Sequence, residues 1–388
     1  MTTIADVQTS TPGRASGGSD RRDSWIPTMP MITTRFMELR KRRGVMSALI
    51  GVTIGIPTVF LLVRLLLHSI APHTYGPAGG YDIFSHLVAG VLYVFGFIVA
   101  ATLGCTAGAV DLNEGMFRHL VITGRSRLAL YFARIPAGLA IVVPIVAIGY
   151  TIVCAICVFA APTTLNYAGA NVPAGLSRPA LENWARANAH TVVCDFPTNG
   201  PIFVDTPCVT PPVGGPILSS PGGSNVKALP APQRPASATP AQLKAEAVRI
   251  ADQAYSDYAR LFLRPSTSLM IKAGLWIELE AVIGFIVGLG LASLLGQRTI
   301  AVVMMIVLEI ILTPIFARAR IPHFANVQRA VVGLAMAHIE PGALPLALGG
   351  DRGVDLLHES TTVAIIVIVA WLLGWTILGA WRMATRDA

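Results

Sequence analysis

Charge is scarce in this sequence. Asp, Glu, Lys and Arg make up 13% of 388 residues, about half the ~25% of a soluble globular domain. Mean hydropathy is +0.63. So few charges cannot coat a soluble surface, and the chain reads as an integral membrane protein. The net charge of +8 does not point to nucleic acid, because Lys and Arg flank apolar runs instead of gathering on one face. Flanking cations are what sets orientation in a bilayer.

Sites that carry chemistry are missing too. There is no Gly-x-x-x-x-Gly-Lys-Ser/Thr phosphate loop, no His-Glu-x-x-His zinc pair and no Gly-x-Ser-x-Gly elbow. His358-Glu359 lacks a second His at zinc spacing. No catalytic residue and no metal ligand set is therefore assigned, and the chain has no recognisable means of hydrolysing ATP. Cysteine is limited to five residues. Cys105, Cys154 and Cys157 lie in apolar runs, where Cys154-x-x-Cys157 reads as packing. Cys194 and Cys208 lie in a polar stretch on the outer side. Two readings stand for them, a disulfide closing a short loop or two free thiols.

What the sequence does have is six long apolar runs. A span needs about 20 apolar residues. Residues 45–67, 84–110, 128–160, 269–295, 299–316 and 361–381 qualify. The first run begins after Arg43 and has no small-residue cleavage site, so it reads as an anchor and not as a cleaved signal. Short segments on one side carry Arg118, Arg125, Arg127 and Arg298, while 68–83 carries no Lys or Arg. The positive-inside rule then puts both termini in the cytoplasm. The expected fold class is an all-α six-helix membrane bundle with a large extracytoplasmic insertion between the third and fourth spans.

The remaining segments divide by composition. Residues 1–26 are polar and read as disordered. Residues 27–44 mix Met31, Phe36, Met37 and Leu39 with Arg35, Arg40, Lys41, Arg42 and Arg43, which suits an amphipathic helix on the cytoplasmic lipid surface. Residues 161–267 form the external insertion. Prolines at 197, 201, 207, 211, 212, 216, 221, 230, 232, 235 and 240 exclude regular structure from much of it, and residues 210–240 read as a mobile or extended linker. Two parts of it read as helices: 177–189 around Trp184, and a segment capped by Thr239 with Pro240 at its first position. In the latter Leu243, Ala247, Ile250, Ala254, Tyr258 and Leu261 fall on one face. It reads as a lid or as a docking surface. Residues 268–388 hold the last three spans. Between the fifth and sixth, 321–348 is broken by Pro322, Pro341 and Pro345, which suits a re-entrant segment.

Ionisable residues at membrane depth are the natural functional candidates. Glu309 stands about ten residues into the fifth span, roughly 15 Å deep. It reads either as a carboxylate on the translocation path, with Phe95 and Phe97 as further candidates, or as a buried carboxyl bonded to a neighbouring helix. Glu278 and Glu280 lie about 200° apart on a helix. Counting back from Leu295 puts both near the outer boundary. Glu280 heads a row with Gly284, Gly288 and Ala292 that suits close helix packing, within the chain or between two copies.

The stretch between the second and third spans carries a resemblance. Glu114-Gly115, Arg118, Leu120, Gly124, Arg127 and Arg134 are similar to the pattern of the ABC-2 (type V) exporter permease family, in its actinobacterial-type branch. Met116 stands where many relatives have Thr or Val, and the 161–267 insertion is longer than is usual there. The resemblance implies that residues 111–126 form a coupling helix docking on a separate ATPase subunit. Asp111, Glu114, Gly115, Met116, Phe117, Arg118, Leu120 and Gly124 would make that contact, while Arg127 and Arg134 anchor the third span at the inner membrane surface. It implies a second permease copy or paralogue, membrane lipid, and a hydrophobic or amphipathic substrate. ATP and Mg2+ would sit on the ATPase, with no cofactor on this chain. Two other classes remain open from the residues alone: a sensor whose external domain binds a ligand, and a membrane-embedded enzyme using Glu278, Glu280 or histidines.

Overall fold

The computed structural model describes residues 25–71, 78–113, 126–161, 164–167, 170–173, 175–195, 240–262, 264–318, 325–341 and 360–385. Six helices are long and apolar enough to cross a membrane, and the chain is a multi-pass membrane protein. They are α2 (Arg43–Ile70), α3 (Ile83–Val110), α4 (Arg127–Phe159), α7 (Thr267–Leu295), α8 (Arg298–Phe316) and α11 (Thr361–Thr385). A shorter helix, α1 (Met29–Lys41), precedes them. The insertion contributes strands β1 (Thr164–Tyr167) and β2 (Ala170–Pro173), and helices α5 (Arg178–Ala187) and α6 (Pro240–Phe262). Helices α9 (Ala325–Ala330) and α10 (Val332–His338) lie between α8 and α11. The residues fall into two compact units.

The first unit comprises Met1–Thr58, His86–Ile152 and Ser268–Ala388. Its centre is the pair α3 and α7. Of their most apolar stretches 67% and 72% is buried, against 22% for α2, α8 and α11. Glycine makes that pairing possible. A Cβ on Gly284 would lie 2.8 Å from the Phe97 carbonyl oxygen, and one on Gly108 2.6 Å from that of Leu289. Gly104 and Gly288 meet the opposing backbone more closely still, at Phe285 and Ala101. The small-residue row below Glu280 therefore packs within this chain, onto α3. Gly296, at φ 73°, ends α7 and donates its N–H to Ala292 O at 2.8 Å, so that Gln297 can open α8 almost at once.

Three spans contain π-helical turns: Gly51–Gly55 in α2, Leu87–Leu92 in α3 and Val307–Leu312 in α8. Two have a visible cause. Pro57 and Pro314 cannot accommodate the carbonyls of Thr53 and Ile310, four residues back, in a regular helix. Both carbonyls lie inside the widened turns. At the N-terminus, α1 turns Met31 and Ile32 onto Ala129, Leu130 and Ala133 at the start of α4. Arg35, expected on a lipid-facing basic side, is buried and pairs with Glu38 at 2.6 Å. In the segment expected to be re-entrant, α9 and α10 are two short helices that both contact α11. Residues Val332–Met336 of α10 are buried.

The second unit comprises Val59–Ser85 and Val153–Thr267. Within it α5, α6, the π-turn Thr191–Asp195 and β2 close a core of their own. Leu181, Ala185, Val192, Ala247, Ile250 and Ala254 are buried there. Ser177 precedes α5 and Pro240 opens α6, as their sequence signals predict. The antiparallel hairpin β1–β2, with Leu165 opposite Val172, departs from the all-α expectation. Tyr258 fastens it: the buried phenol donates to Pro173 O and accepts from Leu176 N at 3.0 Å. Burial raises the Tyr258 phenol above its ordinary value, so it remains a donor through the neutral range.

Two outcomes follow from this packing. Gly288→Val forces a side chain into the Ala101 backbone and should cost about 1–3 kcal/mol, lowering the midpoint of thermal unfolding in detergent. Gly374→Ala, with open space around it, should not. Tyr258→Phe should cost about 1–2 kcal/mol, read as roughly 5- to 30-fold faster amide hydrogen exchange across α5 and α6.

Candidate functional site

Helix α3 brings Tyr93, α7 brings Trp276 and Glu280, and α8 brings Glu309 and Thr313. All five are buried, with Glu280 at 2% and Glu309 at 1% exposure. The local sequence explains the convergence. Trp276 and Glu280 are four apart and share one face of α7. Tyr93 follows directly after the π-turn of α3, and Glu309 lies inside that of α8. Tyr93 and Trp276 stack face to face, centroids 4.6 Å apart and planes within 6°. Gly333 of α10 completes the enclosure: a Cβ there would lie 3.3 Å from Glu309 Oε2.

The ring donors of Trp276 and Tyr93 point away from the carboxyls, while the Thr313 hydroxyl lies within hydrogen-bonding reach of Glu309. Trp276 Nε1 donates to Met336 O at 3.0 Å, Tyr93 Oη to Gly333 O at 3.4 Å, and Thr313 Oγ1 to Leu308 O at 2.9 Å. The first two bonds tie α7 and α3 to α10, and the third is internal to α8. Glu280 Oε2 is buried with no partner among the described residues, and the Thr313 hydroxyl is the donor beside the buried Glu309 carboxyl. Glu280 and Glu309 lie near enough to interact electrostatically, and both lie in the neighbourhood of Tyr93, as does Glu340. The arrangement is an enclosed acidic pair walled by two aromatic rings.

Glu309 was legible as a buried carboxylate, but its partner was not. Glu280 both heads the small-residue row and faces the acidic pair, and the i, i+4 spacing of Trp276 and Glu280 was the available signal. Glu278 lies on another side of α7, half-buried, with both oxygens unpartnered among the described residues. Phe97 is 1% exposed and packs against Gly284 in the α3–α7 contact, while Phe95 is 48% exposed. The two are not brought together with Glu309.

Of the expected coupling residues, Glu114, Gly115, Met116, Phe117, Arg118, Leu120 and Gly124 lie outside the described residues. Asp111 was expected early in a separate helix. Instead the helix of the second span continues to Asn113, which puts Asp111 in its last turn, because nothing at 110–113 interrupts it. The flanks of the segment are well defined. Arg134 is 2% exposed and donates from Nη1 to Gly108 O at 3.1 Å, joining the start of α4 to the end of α3. Arg127 donates to Ala384 O at 3.3 Å, joining α4 to the end of α11. The contacts recorded for these two expected anchors are thus made to the protein. Cys194 falls in the π-turn Thr191–Asp195 and Cys208 lies outside the described residues, so the disulfide expectation stays open. Among the described residues no group of three or more His, Cys, Asp or Glu is placed to hold a metal ion.

Arg134→Ala should lose a charged hydrogen bond worth about 1.5–3 kcal/mol and lower the unfolding midpoint in detergent. Arg134→Lys should recover only part of that, since an ammonium lacks the planar fork of donors.

No family model, no curated protein and no solved structure matches this sequence.

Proposed function

We propose that this chain is the membrane-spanning permease subunit of an ATP-driven exporter of the ABC-2 (type V) kind, in a bacterial plasma membrane with both termini in the cytoplasm. The observation that carries the reading is the motif that runs from Glu114, between the second and third of six spans, to Arg134 near the start of the third. A permease of this kind needs an energy source outside itself, and the sequence has no phosphate loop of its own. The ATP and Mg2+ belong to separate ATPase subunits. Their closure would press on residues 111–126. Arg134 is then well placed to pass the load, since it joins the end of α3 to the start of α4. A hydrophobic or amphipathic substrate would move between two permease copies along α3 and α8.

The insertion also supports a second reading. Residues 172–193 and 243–258 share a hydrophobic core, as a ligand-binding sensor domain would, with the spans relaying the signal.

The affinity-tagged chain should retain a nucleotide-hydrolysing subunit through purification from its native membrane. Glu114→Arg with Phe117→Asp should release that subunit while leaving the permease monodisperse. Retention of the ATPase by the double variant, or its absence from the wild-type preparation, overturns the exporter reading. Binding of the ATPase without ATP-dependent solute uptake into inverted vesicles favours the sensor.

A further inference from the structure

We propose that α9 and α10 form a displaceable lid over Glu309, held shut by one side-chain hydrogen bond to each of four spans. The argument begins with acceptors. Helices of six and seven residues each leave their last four carbonyls without an intrahelical N–H. Packed among spans, those carbonyls need partners from the protein. Three spans supply donors, each through one aromatic side chain. Tyr93 of α3 gives its hydroxyl to Gly333 O at 3.4 Å, Trp276 of α7 its Nε1–H to Met336 O at 3.0 Å, and Trp371 of α11 its Nε1–H to Ala330 O at 2.8 Å. The fourth bond runs the other way. Gln328, on α9 and buried, donates from Nε2 to Phe316 O at the end of α8. Ala330 is the last residue of α9 and Met336 lies in the last turn of α10, where no N–H of the same helix competes.

The segment covers Glu309 directly. A Cβ on Gly333 would lie 3.3 Å from Glu309 Oε2 and 2.8 Å from Thr313 Cγ2, so the α10 backbone rests on the face of α8 that carries the carboxyl. With α10 in place Glu309 is 1% exposed. Two features make this cover separable from the bundle. Its apolar residues gain little from burial when the alternative is lipid, so the four polar bonds carry a large share of its attachment. Both helices also fall well short of the ~12–15 residues of a self-supporting helix, and the chain is extended at Val331 between them. The seam of α3 and α7 is made by glycines instead, so the lid can leave without opening it. Displacement breaks all four bonds and uncovers Glu309 together with the Tyr93 and Trp276 rings. This inference rests on the packing alone and is independent of the exporter reading.

The test is amide hydrogen exchange of the full chain in nanodiscs, read beside labelling of the Glu309 carboxyl by a water-soluble carbodiimide and glycine ethyl ester. Amides of 325–338 should exchange roughly 10-fold or more faster than those of the α3–α7 seam. Tyr93→Phe and Trp371→Phe each delete a donor and keep an aromatic ring. Each should speed exchange in 325–338 roughly 2- to 10-fold, leave the seam unchanged and raise Glu309 labelling in step. Gly333→Ala, which sets a methyl against Thr313 and Glu309, should act the same way and more strongly. Tyr131→Phe is the control: it deletes a hydroxyl with no partner among the described residues and should change neither readout. Size-exclusion profiles establish that the variants are folded. Exchange in 325–338 as slow as in the seam overturns the proposal, because the segment then opens only with the whole bundle. Acceleration that spreads to the seam in every variant, or Glu309 labelling that ignores the variants, overturns it too.

Discussion

Two helices in hydrocarbon gain little by burying apolar side chains against each other, since lipid tails are as apolar as leucine. The contact between α3 and α7 therefore rests on how closely their backbones approach. Gly104 and Gly108 on one helix, and Gly284 and Gly288 on the other, leave no room for a Cβ. That approach fixes the rotation of both helices about their axes. It turns Phe97 into the seam, and Tyr93, one turn further along α3, towards Trp276 and Glu280. With α8 also against α3, Glu309 meets the same point. The acidic pair is thus a consequence of the glycine seam, and a larger residue in that seam would dismantle the site before touching any of its members.

The same seam explains why the polar groups are disposed as they are. A helix that meets its neighbour this closely has few free carbonyls along the contact, so the ring donors of Tyr93 and Trp276 find theirs on α10. Among the described residues the segment between α8 and α11 is made of two short helices, interrupted at Val331 and ended before Pro341. Its carbonyls at Gly333 and Met336 become acceptors. A longer regular helix there would have used those carbonyls internally. The breaks therefore serve the aromatic pair, and the aromatic pair walls the carboxyls.

Much of this was legible from sequence, for an identifiable reason. Hydropathy acts over about 20 residues and does not depend on partners, so all six spans fall within a few residues of their expected limits. A proline at a first helical position is an equally local signal, which is why Pro240 marked the start of α6. What failed to show depends on contacts distant in the chain. The hairpin 164–173 has strands of four residues each, too short for alternation to stand out within a polar region. The partnership of Glu280 with Glu309 was hidden by a depth estimate. Counting ~20 residues back from Leu295 put Glu280 near the outer boundary, but α7 has 29 residues and spans about 43 Å. A helix that much longer than the ~30 Å hydrocarbon core tilts or projects, and its ends no longer fix the depth of its middle.

The geometry also constrains how force could travel if the exporter reading holds. Arg134 grips α3 at Gly108, fifteen residues from Tyr93, or about 22 Å along the axis. Between these points α3 is regular helix with one face pressed into α7, so it moves there as a rod and not as a spring. Compliance begins just beyond Tyr93, at the π-turn Leu87–Leu92, and α8 has its own π-turn around Glu309. A push at the inner end would therefore be delivered undiminished to the level of the acidic pair and taken up there. Tyr93 follows the widened turn of α3 directly and Glu309 lies within that of α8, so a change of shape at either turn would bear on the acidic pair while leaving the glycine seam intact.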